Sequence, residues 1–94
     1  MKGMRGPHGK LATHGKHGAP HVSRRVPETM RVGKRTIHPR ARLRIHERVE
    51  YRLMKEGASY RQAHAKALIA ERGSMTKQQW HTYNGKLSGI ARKI

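Results

Sequence analysis

Residues 57–80, GASYRQAHAKALIAERGSMTKQQW, carry the clearest secondary-structure signals in the chain. It contains one device twice: a Ser or Thr followed three residues later by Gln, each shortly after a glycine. The pairs Ser59/Gln62 and Thr76/Gln79 match the capping box, in which two side chains satisfy backbone N–H groups at a helix start. The pattern therefore predicts two consecutive helices, one beginning after each pair.

These two helices are predicted over 60–72 and 77–91, with Gly73 ending the first of them. Apolar residues recur on one side of each at the spacing of a helix face. In the first helix this face comprises Tyr60, Ala63, Ala67 and Leu68. In the second it comprises Trp80, Tyr83, Leu87, Ile90 and Ile94. Gly85 and Gly89, four residues apart, are interpreted either as a frayed helix end or as a place where another backbone packs closely against the second helix, and we favour the packing.

A further helix is predicted upstream, over 39–56. Pro39 suits the first turn of a helix, and Gly57 suits its end. Its predicted core stripe recurs every four residues and comprises Ala41, Ile45, Val49 and Leu53. The sequence thus predicts a mainly α fold, with a small three-helix domain over 36–94.

The first 35 residues have a different composition. They hold nine Lys or Arg residues against one acid, Glu28, together with six of the ten glycines and three of the four prolines. Their scattered Val and Met residues are too few to build a core. We therefore expect residues 1–35 to be an extended, basic, Gly/His-rich N-terminal arm that is flexible or ordered by a partner. A short extended turn is expected at residues 31–35.

Composition excludes several functions. The chain has 94 residues, 22 Lys or Arg and 5 acids, and a net charge of +17. It lacks Cys, which excludes disulfides, thiolate zinc sites and a cysteine nucleophile. It also lacks Asp, which disfavours a two-metal centre built from several carboxylates. Mean hydropathy is −0.94, and neither a signal peptide nor a transmembrane segment is apparent. We expect an intracellular location or one within a nucleoprotein particle.

The positive charge predicts a polyanionic partner. Four arginines form a row at i+4 spacing on the helix over 39–56, and like charges so placed destabilise an isolated helix by about 0.2–0.5 kcal/mol per pair. The row is therefore interpreted either as a solvated face paired with Glu47 and Glu56, or as a ridge that contacts phosphates. We favour the ridge, because the guanidinium group binds phosphate through two hydrogen bonds. The predicted nucleic-acid-binding residues are Arg40, Arg44, Arg48, Arg52, Arg24, Arg25, Lys34, Arg35, Lys2, Arg5, Lys10 and Lys16.

Eight histidines raise two chemical alternatives. The first is a metal site in the arm, formed by His14 and His17 with His8 and His21 nearby. A Gly-rich segment without Cys or Asp would not fix such ligands, so no metal or other cofactor is expected. The second alternative is a metal-independent nuclease, which needs a general acid, a general base and cations for the phosphorane charge. Its candidate residues are His46, Glu50, His64, His81 and Arg42.

The sequence is best interpreted as a non-enzymatic nucleic-acid-binding protein that neutralises the phosphate backbone of RNA or DNA. In composition and layout it is similar to small basic proteins of nucleoprotein assemblies, such as ribosomal proteins with long arms and phage proteins that lie against packaged genomes. It is therefore expected to be a small structural component of a ribosome-like particle or a packaged viral genome. Neighbouring proteins of such a particle are possible partners, and a membrane is not. Besides the nuclease, the other alternative to this interpretation is a structural protein that binds acidic protein surfaces.

Overall fold

The computed structural model describes residues 10–15 and 17–94. In this part of the chain four short strands precede three helices. The strands are β1 (Ala12–His14), β2 (Pro20–Val22), β3 (Met30–Val32) and β4 (Arg35–Ile37), and the helices are α1 (Pro39–Lys55), α2 (Tyr60–Arg72) and α3 (Lys77–Arg92).

Capping fixes the starts of α2 and α3. The Ser59 hydroxyl accepts a hydrogen bond from the Gln62 backbone N–H, and the Gln62 side chain accepts one from the Ser59 N–H, both at 3.1 Å. Thr76 and Gln79 make the same reciprocal pair at 3.1 and 3.0 Å. Both predicted capping boxes are confirmed, and each helix satisfies two of its exposed N–H groups in this way.

The buried face of α1 is not the predicted one. Ala41 and Ile45 are exposed, and Val49 and Leu53 are only half-buried. The residues that α1 buries are Pro39, Leu43, His46, Glu47 and Glu50. The prediction of an apolar stripe was therefore wrong for this helix, because polar side chains with buried partners occupy its inner face.

The faces of α2 and α3 agree better with the prediction. Ala63, Ala67, Tyr83 and Leu87 are fully buried, whereas Ile94 is 54 % exposed. Within the described part of the chain, and contrary to the expectation, no other backbone packs closely against the two glycines of α3. A Cβ atom built on Gly85 meets no atom within 4 Å among the described residues.

The strands form two separate antiparallel hairpins. In β1–β2, Ala12 pairs with Val22, and in β3–β4, Met30 pairs with Ile37. The turn of the second hairpin requires a left-handed residue, which Gly33 supplies with φ of +65°. The extended turn expected at 31–35 is thus confirmed as the tip of a hairpin.

The hairpins share one core with the helices. Leu11, Val26 and Val32 are almost completely buried, and β4 lies across the expected boundary at residues 35 and 36. The expectation of an extended arm is therefore corrected for residues 10–15 and 17–35, which pack against the helices. The core cluster comprises Leu11, Ala12, Val22, Val26, Met30, Val32, Ile37, Leu43, Met75, Tyr83, Leu87 and Ala91. Among the described residues, no helix is long and apolar enough to span a membrane.

Candidate functional site

A buried cluster of histidines and glutamates lies between α1 and α2. His46 and Glu50 are one helical turn apart on α1, so their side chains lie on the same face. His46 Nε2 is 3.1 Å from Glu50 Oε2, and His64 Nδ1, contributed by α2, is 2.9 Å from the same oxygen. Two imidazoles from different helices therefore converge on one carboxylate oxygen.

A second carboxylate holds the other side of His46. Glu71, near the end of α2, places Oε1 2.8 Å from His46 Nδ1. The Tyr83 hydroxyl on α3 donates to Glu71 Oε2 at 2.7 Å, which links all three helices. His46, Glu50, Glu71 and Tyr83 are each at most 1 % exposed. The orientation of the His46 ring is thus fixed from both nitrogens.

The electrostatics of this cluster follow from the facing charges. Burial opposes protonation of His46, but hydrogen bonds to Glu50 and Glu71, together with their charges, outweigh it and raise the His46 pKa to about 9. Burial likewise opposes ionisation of Glu50, yet hydrogen bonds from His46 and His64 lower its pKa to about 2. Burial and the adjacent Glu71 charge raise the pKa of Tyr83 far above its usual range, so its hydroxyl remains a donor. With no metal ion bound, the raised pKa keeps His46 protonated at neutral pH, between the two carboxylates.

The other oxygen of Glu50 faces β1. His14 Nε2 lies 3.4 Å from Glu50 Oε1 and 3.9 Å from Glu47 Oε1. His14 also packs edge-on against the ring of Tyr51, with the centroids 5.5 Å apart. A surface recess of about 460 Å³ reaches this group and is lined by His14, Gly15, Tyr51, Met54 and Lys55. The first hairpin thus closes one side of the cluster.

Among the described residues, two overlapping sets of side chains are close enough to hold a metal ion. One set is His46, Glu50 and His64, and the other is His14, Glu47 and Glu50, with ligand atoms within 4.8 Å of one another in each. Of the predicted arm site, His14 belongs to the second set, whereas His17 and His21 are exposed and belong to neither, and His8 lies outside the described residues.

The residues of the nuclease hypothesis are brought together only in part. His46, Glu50 and His64 are in contact, as the geometry above describes. Arg42 lies nearby and donates to the Glu71 backbone carbonyl at 3.3 Å. His81 is exposed on α3 and takes no part in the hydrogen bonds that the structure describes for this cluster. The hypothetical catalytic set is therefore incomplete.

Sequence reasoning missed Glu47, Glu71 and Tyr83 as members of this cluster. A signal for Glu71 was present, because it continues the buried row of Ala63 and Ala67 at i+4 spacing on α2. A carboxylate at that position on an otherwise small, apolar face needs a buried partner. The identity of the partner depends on how α1 and α2 pack, which local patterns do not specify.

The arginine row on α1 divides into two parts. Arg48 and Arg52 are exposed, whereas Arg40 and Arg44 are half-buried. Arg40 Nη1 donates to the backbone carbonyls of Ser23 at 2.7 Å and Val26 at 3.1 Å. Its guanidinium group therefore fastens the segment after β2 to the first turn of α1, which is a structural role.

The other predicted phosphate-binding residues divide in the same way. Arg35 donates to the Ser74 hydroxyl at 2.7 Å and to Gln79 Oε1 at 3.4 Å, joining β4 to the start of α3. Three predicted residues, Lys2, Arg5 and Lys16, lie outside the described residues. Those that are exposed are Lys10, Arg24, Arg25 and Lys34.

Acidic and basic side chains are segregated between the interior and the surface. Three of the five glutamates, Glu47, Glu50 and Glu71, are at most 1 % exposed. Only Glu28 and Glu56 remain at the surface. The surface is thus poorer in negative charge than the sequence composition indicates.

No known protein family, curated protein or solved structure matches this chain.

Proposed function

We propose that the protein binds RNA or DNA through the phosphate backbone, as a small structural component of a nucleoprotein assembly. The observation that supports this most is the segregation of charge described above. Burial of three carboxylates leaves the exposed arginines and lysines with few competing acids, and the net charge of +17 makes the field around the protein positive. Such a field attracts a polyanion and raises its local concentration.

The contact surface is proposed to centre on the exposed half of the α1 row. Arg48, Arg52 and Lys55 are exposed at three- and four-residue spacing, so they lie along one side of the helix. Arg24 and Arg25, also exposed, extend the available cations onto the segment after β2. Arg35 and Arg40 are left out of the proposed surface, since their guanidinium groups already hold the fold together.

The test is the salt dependence of binding, measured by fluorescence anisotropy with an RNA duplex and a DNA duplex of the same sequence. Each lysine or arginine that contacts phosphate contributes about one unit to the slope of log affinity against log salt concentration. The double variant Arg48→Ala/Arg52→Ala is expected to lower this slope by about two units.

The matched control is Arg48→Lys/Arg52→Lys, which keeps both charges at the same positions and is expected to retain the slope. An unchanged slope in the alanine variant would contradict the assignment to α1. Comparing the two duplexes then identifies the preferred polymer.

The two alternatives have their own readouts in the same preparation. For the nuclease, labelled RNA and DNA are incubated with the protein in the presence of a chelator, and we expect both to remain intact. Cleavage that disappears in His46→Ala or His64→Ala would favour the enzyme instead. For binding to acidic proteins, a complex that survives nuclease treatment and a molar-salt wash would argue against nucleic acid as the partner.

A further inference from the structure

Two ring nitrogens and one carboxylate oxygen in the buried cluster lie within 4.8 Å of one another, each offering one ligand atom for a metal ion. His46 Nε2 and His64 Nδ1 are 3.1 and 2.9 Å from Glu50 Oε2. Zinc bonds nitrogen and oxygen ligands at about 2.0–2.2 Å, which puts neighbouring atoms of a tetrahedral site about 3.3 Å apart. We propose that His46, Glu50 and His64 bind one divalent transition-metal ion of the zinc class.

The surroundings of His46 favour this assignment over the overlapping set at His14. A histidine that binds metal through one ring nitrogen usually donates its other N–H to a carboxylate, which fixes the tautomer and the ring orientation. Glu71 Oε1 accepts at this position, 2.8 Å from His46 Nδ1, and the Tyr83 hydroxyl holds Glu71 in turn. Nε2 of His46 is thereby directed at Glu50, and an ion that binds there would displace the protons that His46 Nε2 and His64 Nδ1 share with Glu50 in the metal-free protein.

The backbone supplies the other requirement, which is a rigid frame for the ligands. His46 and Glu50 are one turn apart on α1, the spacing used by pairs of zinc ligands carried on a single helix. The His64 ring stacks on the Tyr60 ring, with the centroids 5.2 Å apart, and the Tyr60 hydroxyl lies 3.3 Å from His64 Nδ1. The three ligands therefore come from two packed helices.

The site also has access to solvent. The His64 side chain is 25 % exposed, in contrast to the fully buried His46 and Glu50. Three protein ligands leave the fourth tetrahedral position for water or for an atom of a bound molecule, as in catalytic rather than structural zinc sites. An ion could therefore enter from the side of His64 and keep an exchangeable ligand there.

The experiment uses the full chain, freed of metal by a chelator and then dialysed against Zn²⁺. Bound metal is measured by mass spectrometry after removal of excess ion, and one Zn²⁺ per chain is expected. His64→Ala removes a partly exposed ligand and is expected to weaken Zn²⁺ binding at least tenfold. His81→Ala is the matched control, because it removes an exposed histidine outside the cluster, and it is expected to bind as the unmodified chain does.

A third variant and a second probe separate this site from its neighbour and from nonspecific binding. The His14→Ala variant is expected to retain the ion. If His14→Ala lost the ion and His64→Ala retained it, the assignment would be overturned. Co²⁺ reports ligand geometry through its visible absorption, which is expected to be intense, as for a four-coordinate ion, and to vanish in His64→Ala. Equal metal content in the unmodified chain and His64→Ala, or a Co²⁺ spectrum like that of the free aqueous ion, would refute the proposal.

Discussion

Among single residues, Glu50 shows how α1 can bury a charged side chain: its carboxylate has partners that replace water. An isolated buried carboxylate costs several kcal/mol, and it becomes tolerable only when partners replace the lost water. Imidazoles from α1 and α2 lie 3.1 and 2.9 Å from its Oε2 atom. Removing one partner leaves the buried carboxylate incompletely hydrogen-bonded, and this costs more free energy than the intact interaction contributes. The cluster therefore favours a single register of α1 packed against α2.

The protonation of His46 gives a pH dependence with a defined sign. In the metal-free protein its pKa is raised from 6.5 to about 9, so its contribution to stability is complete below pH 6.5 and is lost as the pH rises through 9. The Glu50 pKa is lowered from 4.5 to about 2, so its contribution is lost as the pH falls from 4.5 through 2. Between these ranges the pair contributes fully.

We therefore expect an NMR titration of the His46 ring in chelator-treated protein to have its midpoint near pH 9. The temperature midpoint of thermal unfolding is expected to decrease as the pH rises from 6.5 to 9. His46→Gln is expected to make this decrease smaller. A ring titration centred at or below pH 6.5 would show that the two carboxylates do not hold the proton.

At the scale of elements, the helix starts were predictable and the buried face of α1 was not. Capping boxes are local, since four consecutive residues carry the whole signal, and both form as expected. Assigning the inner face of α1 from apolar periodicity assumes that apolar side chains are the buried ones. Here Ile45 is 38 % exposed while His46 and Glu47 are buried. Their burial depends on partners in other elements, which no pattern within α1 encodes.

Arg40 joins two elements, and its replacement is expected to be costly. Its guanidinium group donates to the carbonyls of Ser23 and Val26, and hydrogen bonds to a charged group contribute about 1.5–3 kcal/mol. Arg40→Ala is expected to lower the free energy of unfolding by about 2 kcal/mol in urea denaturation. Arg48→Ala, an exposed arginine in the same row, is the control and is expected to change it by about 0.5 kcal/mol or less. Equal effects would contradict a structural role for Arg40.

Gly85 offers a stabilising change in α3. It lies in a helix interior, its φ is not positive, and an added Cβ meets no atom within 4 Å in the part of the chain that the structure describes. Gly85→Ala is expected to raise the free energy of unfolding by about 0.5–1 kcal/mol, because alanine loses less backbone entropy in a helix. Gly73→Ala is the opposite control, since Gly73 has φ of +55° and a Cβ atom added there would meet the Arg42 guanidinium. Stabilisation by both changes would contradict this account.

At the scale of the whole molecule, the two hairpins were the least predictable part of the fold. Each strand has three residues, which is too short for alternating hydrophobicity to be read. The core they complete draws Val22, Val26 and Val32 together with Leu87 from α3. The composition of residues 10–15 and 17–35 is typical of a flexible segment. They nevertheless pack on the helices, because they make such contacts with distant parts of the chain. The sequence analysis named the candidate metal ligands only as possible nuclease residues. Their convergence depends on the packing of α1 on α2, which the sequence pattern does not specify.

Net charge gives a prediction for the molecule as a whole. With +17 charges on 94 residues, mutual repulsion destabilises the compact state, and added salt screens it. Raising the NaCl concentration from about 10 to about 150 mM shortens the screening length from about 30 to about 8 Å. The free energy of unfolding in urea is therefore expected to increase over this range. Arg48→Gln/Arg52→Gln is expected to show a smaller increase, and a stability independent of salt would contradict the repulsion argument.

The burial of three glutamates also makes the folded and unfolded chains different as electrostatic ligands. Unfolding returns Glu47, Glu50 and Glu71 to water, where they lie among the cations and weaken the attraction for an anion. Any polyanion that binds the surface then prefers the folded chain, and by mass action it shifts the equilibrium toward that chain. Folding thus separates the three acidic side chains from the basic surface, and a nucleic acid bound there as proposed would stabilise the folded chain.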